Sequence, residues 1–269
     1  MEGQKGIDWS SLWKKEDWWG VWIGFLIIAL ILAGLTIKTP KLRWTTDGEF
    51  KAYVNMIKPE VEKLASDAEK KGEDAIKESA IALKTAIETA DRKAIGEAAK
   101  KLENASKTVK DEGIKKKASK IGKDVSTQAG NLVSKVFSGE NIGWSLIICV
   151  GYLVIATIAA ALIGVKPIGS FIIGFPIVFA LGWIARFIAG NYTIHDWGVE
   201  YVLWCLVIGL IISNIIGVPN WLKSAIQTEF FIKSGLVILG SSILFGEILK
   251  AGSLGLIQAL LVVITVWYF

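Results

Sequence analysis

Five stretches of this sequence run for about twenty residues without a charged side chain, and they constrain the fold more than any other feature. They are residues 18–37, 141–165, 167–185, 201–222 and 251–269. A helix of about 20 apolar residues crosses the ~30 Å hydrocarbon core of a bilayer. The sequence therefore predicts an all-α, polytopic helical membrane protein with four or five spans and the lipid bilayer as its first partner.

The charged residues are concentrated in one long segment between the first two apolar stretches. Residues 38–140 hold 22 Lys and Arg against 17 Asp and Glu, and the rest of the chain holds 8 of each kind. The net charge of +5 thus belongs to this insert. A charged helical surface explains it more simply than a dedicated anionic partner, and we expect no nucleic-acid partner.

The insert has the period of helices. Its apolar residues recur three or four positions apart, as in Ile114, Ala118, Ile121, Val125, Ala129, Leu132 and Val136. This coiled-coil-like spacing predicts three or four helices in a soluble α-helical hairpin or small bundle. Pro59 indicates a helix start and Gly72 its end, while Asp91 and Gly113 mark further breaks.

The N-terminal residues favour a retained membrane anchor over a removable signal peptide. Lysines and acidic residues are mixed within residues 1–17, and the apolar run that follows is too long for a signal peptide. Tryptophans crowd this region, as indoles do in the headgroup layer, although packing against other spans is the alternative. We expect residues 1–17 to lie at the interface, 18–37 to form the first transmembrane helix and 141–269 to form a transmembrane bundle.

The third apolar stretch carries a proline and ends near an arginine. Pro176 predicts a kink, and Arg186 is expected to reach the interface from the helix end. His195 and Asp196 follow in a predicted loop, residues 191–198. An exposed polar turn explains this pair better than a proton relay.

The last part of the chain carries the signals of broken helices. Residues 213–220 combine Ser, Asn, Gly and Pro, which predicts a helix break, and residues 221–232 are expected at the interface. Residues 234–246 then form an uncharged run of only 13 residues. Short, Gly-interrupted segments are typical of secondary transporters, whose helix ends bind substrate or ions near the midplane. Close packing of ordinary helices on small residues is the alternative.

Two segments resemble a known family. Residues 14–24, KKEDWWGVWIG, resemble the start of the first span in longer members of the bacterial sulfate exporter family. Residues 231–245, FIKSGLVILGSSILF, followed by Ile248, Leu249 and Gly252, resemble its Gly-rich core before a short polar turn. The resemblance implies a carrier related to bile-acid symporters and sodium/proton antiporters, with two repeats and crossed broken helices. This chain would then hold only the first half of a transport unit, truncated at Phe269.

The expected function is a secondary transporter, or its N-terminal part, that moves a small anion such as sulfate or an organosulfonate across the bacterial inner membrane. A helix N-terminus near Gly240 is expected to offer unpaired N–H groups to the anion. The expected substrate-binding residues are Asn214, Lys233, Gly235, Gly240, Ser241 and Ser242. Glu247 is the candidate for coupling to H⁺ or Na⁺. Interfacial exposure of Lys233 and of Glu247 is the alternative for each.

Other function classes fit less well. A membrane-anchored sensor or scaffold, whose insert binds a partner, predicts no need for Gly and Pro breaks. An enzyme is not expected, because the sequence has one His and lacks a metal-ligand cluster, a nucleophile motif and a phosphate-binding Gly loop. No cofactor or metal is expected. If the chain ends at Phe269, a complete transporter would need a second subunit or a homodimer.

The positive-inside rule predicts the topology. Discounting the long insert, one side of the membrane carries most of the lysines near the spans. They are Lys5, Lys14, Lys15, Lys166, Lys223 and Lys233. Only Lys250 and Arg186 fall on the other side. The N-terminus is therefore predicted in the cytoplasm and the insert in the periplasm.

Overall fold

The computed structural model describes residues 16–242 and 252–268, and within these ranges it confirms the all-α fold class. The interfacial segment predicted before Trp18 lies almost entirely outside the described residues, as does Glu247. The first helix, α1, spans Glu16–Leu32. It is shorter than the predicted stretch 18–37, because the chain turns at Gly34 with a φ of 101°.

Four helices of the insert form a bundle with its own core. They are α2 (Asp47–Lys70), α3 (Asp74–Thr89), α4 (Arg92–Ala105) and α5 (Glu112–Gly130). Their buried residues are spaced at helical period and include Val61, Leu64, Ile76, Leu83, Leu102 and Val125, all at most 1% exposed. Of the predicted three or four helices, four are therefore present, and they form a small bundle rather than a hairpin.

The predicted start of the first bundle helix at Pro59 is wrong. Pro59 lies inside α2, which begins twelve residues earlier at Asp47. The start is fixed by a capping box, in which the Thr46 hydroxyl accepts from the Glu49 N–H and the Glu49 carboxylate accepts from the Thr46 N–H. The predicted end is correct, since Gly72 follows α2 with a φ of 70°.

The predicted breaks within the insert are close to the observed helix starts. Asp91 is the N-cap of α4, where its side chain accepts from the Lys93 N–H. The next start is set by Asp111, which accepts from the Ile114 N–H, so Gly113 lies within the first turn of α5 rather than between helices. An Asp two residues before the Gly is the stronger start signal.

Beyond the bundle the chain enters its long apolar helices. A short helix α6 (Val133–Val136) precedes α7 (Gly139–Ile163), and α8 spans Ile168–Ala189. Within the described residues, Val133–Ile163 and α8 are long and apolar enough to cross a membrane. Most residues in each are not buried within the chain. Pro176 lies inside α8, which continues through it.

The remaining elements are shorter. They are α9 (Tyr192–Asp196), α10 (Tyr201–Ile211), a π-helical turn (Ile212–Ile216), α11 (Asn220–Lys223), α12 (Thr228–Ser242) and α13 (Gly252–Tyr268). The predicted loop at His195 is thus largely one helical turn, α9, capped by Asn191. The predicted break after residue 213 is confirmed, since the helix ends at Ile216 and Gly217 has a φ of 78°.

The chain divides into two compact units. The first comprises Met1–Lys38, Ile148–Phe179 and Val218–Phe269, in so far as these residues are described. Its core is apolar and partly aromatic, with Ile23, Ala156, Phe171, Phe175 and Phe230 all buried.

The second unit comprises Thr39–Ile147 and Ala180–Gly217. It therefore contains the four-helix bundle together with the end of α8, α9, α10 and the π-helical turn. Trp44 forms an isolated parallel bridge with Asn191, donating its N–H to Gly190 and accepting from Tyr192. The insert is thus bonded to the chain that follows α8.

Candidate functional site

Most of the residues predicted to bind substrate lie along α12. This helix starts at Thr228 and continues to Ser242, so Gly240 and Ser241 lie near its C-terminal end. The helix N-terminus predicted near Gly240 is therefore wrong. The predicted segment was short because only uncharged residues were counted. The helix also includes the polar turn before them, where the Lys233 ammonium lies 2.9 Å from the Glu229 carboxylate.

The side chains of α12 differ in their surroundings. The Ser241 hydroxyl donates to the Ile238 carbonyl at 2.7 Å within the helix. Gly235 and Gly240 are exposed, and a Cβ added at either would meet no atom within 4 Å. These two glycines are thus not sites of close helix packing in the described part of the chain. The side chain of Ser242 and all of Glu247 lie outside the described residues.

Close packing instead occurs at two glycines of α1. A Cβ added at Gly20 would lie 2.9 Å from the Lys233 Cβ, and one at Gly24 would lie 2.5 Å from the Val237 Cβ. Four residues separate the two glycines, so they lie on one face and allow α1 and α12 to approach closely. Sequence reasoning missed this contact, although the four-residue spacing of the glycines in Gly-Val-Trp-Ile-Gly could have indicated it.

A polar pair lies within the apolar part of the first unit. The Tyr152 and Ser234 hydroxyl oxygens are 2.7 Å apart, and the Ser234 hydroxyl is also within hydrogen-bond distance of the Phe231 carbonyl. Ser234 is only 1% exposed, and the Tyr152 ring stacks on Phe175. Sequence reasoning missed this pair, although a tyrosine in an apolar helix needs a hydrogen-bond partner when buried.

Asn214 belongs to the second unit, whereas α12 belongs to the first. It lies in the π-helical turn, where its side-chain amide donates to the Leu210 carbonyl at 2.8 Å. π-helical turns are rare in proteins, and many of those that occur lie at functional sites. The turn and Gly217 together interrupt the backbone pattern of an apolar helix.

The second unit also holds a pocket of about 560 Å³ that sequence reasoning missed. Its charged lining comes from Lys41, Arg43, Arg186 and Glu200, with His195 beside them. Its other lining residues are Pro40, Leu42, Thr127, Asn131, Ala189, Gly190, Val199 and Tyr201. We call this the basic pocket. Arg186 is far in sequence from Lys41 and Arg43, so no local motif unites the three cations.

Two cations of the basic pocket have specific surroundings. Arg186 lies in the last turn of α8, as predicted, with its guanidinium carbon 5.7 Å from the centroid of the Tyr201 ring. Burial lowers the pKa of the Arg43 guanidinium, and the nearby Glu200 carboxylate partly opposes this. His195 is exposed, as expected for a polar turn.

One wall of the basic pocket is held by tight backbone contacts. A Cβ added at Gly190 would collide with the Leu42 carbonyl oxygen, so only glycine fits there. The Trp44 indole N–H donates to the Phe187 carbonyl at 2.8 Å, and its ring stacks on Phe187 at 5.0 Å between centroids. These contacts fix the segment that carries Lys41 and Arg43 against the end of α8.

Comparisons with known proteins agree with a membrane location. The chain is 31% identical over 269 residues to a UPF0324 membrane protein of Rhodopirellula baltica, an alignment that covers 96% of this chain and 47% of the relative. Two UPF0324 membrane proteins of Nitratidesulfovibrio vulgaris are 39% and 35% identical over 101 residues, which is 36% of this chain and 17% of each relative. The chain thus spans about half the length of the first of these relatives and less of the other two. No protein-family model and no solved structure matches it.

The apolar helices and these relatives together define the class: the chain is an all-α membrane protein. Its similarity is to UPF0324 membrane proteins, whose names state no substrate.

Proposed function

We propose that the chain forms part of a secondary transporter that moves a small anion across the bacterial inner membrane. The observation that carries the proposal is the interrupted helix after α10, where a π-helical turn and Gly217 break an apolar segment. Irregular backbone at membrane depth is tolerated where it lies within protein or lines a water-filled cavity. Such breaks form the substrate and ion sites of secondary transporters.

The proposed substrate is sulfate or an organosulfonate, and the residues proposed to bind it are those predicted on α12, residues 233–242. Lys233 would supply positive charge, in competition with its present partner Glu229. The exposed backbone at Gly235 and Gly240 would let a small anion approach α12 closely. Coupling to H⁺ or Na⁺ through Glu247 and assembly as a homodimer belong to the same proposal, which requires no catalytic residue, cofactor or metal.

Transport of labelled sulfate into vesicles tests the proposal. The purified protein, reconstituted in its natural full length, should take up sulfate, and Gly240→Leu should reduce the rate by at least about ten-fold, since the side chain would cover the backbone. Gly151→Leu is the matched control, because Gly151 also lies in an apolar helix with no atom within 4 Å of an added Cβ. Normal transport by Gly240→Leu would exclude the site on α12. Failure to transport any anion of a sulfate and sulfonate panel would exclude the function.

A second candidate is a membrane-anchored sensor or scaffold, favoured by the bonded connection between the bundle and the chain after α8. The Glu49 carboxylate of α2 accepts hydrogen bonds from Asn191 and Thr193. A partner that moved α2 would therefore pull directly on this segment. Deleting residues 45–136 separates the candidates: transport should survive if the insert is accessory, whereas a sensor or scaffold would lose its function.

A further inference from the structure

No ion pair within the described residues neutralises the cations of the basic pocket. Within the described part of the chain, no carboxylate forms a salt bridge with Lys41, Arg43 or Arg186. Glu200 is the one carboxylate in the described lining, against these three cations. The pocket therefore has a net positive charge and can accept an anion.

The pocket lies where two apolar helices end. Arg186 is in the last turn of α8, and Tyr201 is the first residue of α10. When α8 spans the bilayer, Arg186 in its last turn lies at headgroup depth, and so does the Tyr201 ring beside its guanidinium. Trp197, in the connection between the helices, is 71% exposed, as an indole at the interface would be.

The rest of the lining suits a ligand with both a charged and an apolar part. Leu42, Ala189 and Val199 contribute apolar surface beside the cations. The Arg43 and Arg186 guanidinium groups are planar forks that bind tetrahedral oxyanions through paired N–H donors. A volume of about 560 Å³ exceeds what an isolated phosphate or sulfate needs.

We propose that the basic pocket binds the phosphate group of an anionic phospholipid. Lys41, Arg43 and Arg186 hold the phosphate, and the apolar lining contacts the glycerol end of the acyl chains. The same cations would also accept free inorganic phosphate. The position of the pocket at headgroup depth and its apolar lining favour the lipid. The inference does not depend on transport, because a membrane protein of any function can hold a structural lipid here.

Lipid binding to the purified full-length protein in neutral detergent tests the proposal. Phosphatidylglycerol is titrated and bound lipid is counted by native mass spectrometry, with phosphatidylcholine as the uncharged comparison. The triple variant Lys41→Gln, Arg43→Gln, Arg186→Gln should bind phosphatidylglycerol at least about ten-fold more weakly, since each cation near an anionic lipid contributes about 1 kcal/mol. The control variant Lys63→Gln, Lys100→Gln, Lys101→Gln removes the same charge from exposed bundle positions and should bind normally.

Free phosphate distinguishes the two sources of the anion. If 10 mM inorganic phosphate leaves the bound lipid unchanged, the ligand is the lipid; if it displaces the lipid from the unmodified protein, the pocket is a general oxyanion site. Equal lipid binding by the triple and control variants overturns the proposal. If the triple variant fails to fold, the single variant Lys41→Gln replaces it in the test, because Lys41 is exposed and its substitution should not affect folding. This variant should bind phosphatidylglycerol about five-fold more weakly. Unchanged binding by a folded Lys41→Gln variant, with unchanged salt dependence, also overturns it.

Discussion

The Glu49 carboxylate accepts a hydrogen bond from the Asn191 side-chain amide at 3.1 Å, which joins the first bundle helix to the chain that follows α8. The same carboxylate accepts from the Thr193 hydroxyl and from the Thr46 N–H. Glu49 therefore has two roles, as the reciprocal partner in a capping box and as the link between segments 142 residues apart.

Removing the Glu49 charge should destabilise the second unit. Burial raises the pKa of this carboxyl, but hydrogen bonds from Thr193, Thr46 and Asn191 outweigh it and bring the pKa to about 2, below the ordinary 4.5. The stabilisation is present above pH 4.5 and is lost as the pH falls toward 2, because the folded state binds its proton less readily. Glu49→Gln should cost about 1–2 kcal/mol at pH 7, measured by chemical denaturation.

The control for this prediction is Glu97→Gln, on an exposed position of the bundle. It should leave the free energy of unfolding within about 0.5 kcal/mol of the unmodified protein. The difference between Glu49→Gln and the unmodified protein should shrink between pH 5 and pH 3. An unchanged difference over that interval would contradict the assigned charge effect.

Arg92 should be among the most sensitive positions of the bundle. Its guanidinium donates to the backbone carbonyls of Thr45, Gln128, Ala129 and Asn131 at 2.9–3.1 Å and pairs with the Asp47 carboxylate at 2.8 Å. These carbonyls include the C-terminal end of α5, which a cation stabilises.

We expect Arg92→Ala to cost about 3 kcal/mol, because four partly buried carbonyl acceptors lose their donor together. Arg92→Lys should recover only part of this, since an ammonium cannot reproduce the planar fork. Thermal unfolding followed by circular dichroism measures both. Lys93→Ala, at the exposed neighbouring position, is the control, and equal losses for Lys93→Ala and Arg92→Ala would refute the role.

Gly24 should tolerate no side chain. A Cβ there would lie 2.5 Å from the Val237 Cβ and 3.2 Å from the Ser234 carbonyl oxygen, so α1 and α12 would have to separate. Gly24→Ala should lower stability by about 1–3 kcal/mol, as overpacking does. Gly151→Ala, at an open position of α7, should not. Partial rescue of Gly24→Ala by Val237→Ala would identify the contact, and an additive double variant would speak against it.

The elements that could be predicted from the sequence were those marked by a local signal, either a helical spacing of apolar residues or a local composition. Uncharged length located α7 and α8, and apolar spacing located the bundle helices. The combination of Gly and Pro after residue 213 located the break at Gly217. The start of α2 was misplaced because Pro59 resembles a helix start, whereas the capping box of Thr46 and Glu49, which is also readable from the sequence, was overlooked.

The contacts that sequence reasoning missed join residues far apart in the chain. Arg186 and Lys41 line one pocket although 145 positions separate them in the sequence, and Tyr152 meets Ser234 across 82 residues. Neither pair has a spacing that a helical period could reveal. The site on α12 was predicted from a short uncharged length, small residues and Lys233. The meaning of small residues depends on what lies opposite: Gly24 faces Val237, whereas no atom of the described residues lies within 4 Å of a Cβ added at Gly240.

The topology of the bundle can be tested with one introduced cysteine. The positive-inside count places the insert in the periplasm, so Lys100→Cys, exposed on α4, should react with an impermeant thiol reagent in intact cells. The background must carry Cys149→Ala and Cys205→Ala, because Cys205 is exposed on α10. Lys166→Cys, exposed between α7 and α8, is the matched position on the opposite side and should react only after lysis. The reverse pattern, with Lys166→Cys labelled in intact cells and Lys100→Cys protected, would place the bundle and the basic pocket in the cytoplasm.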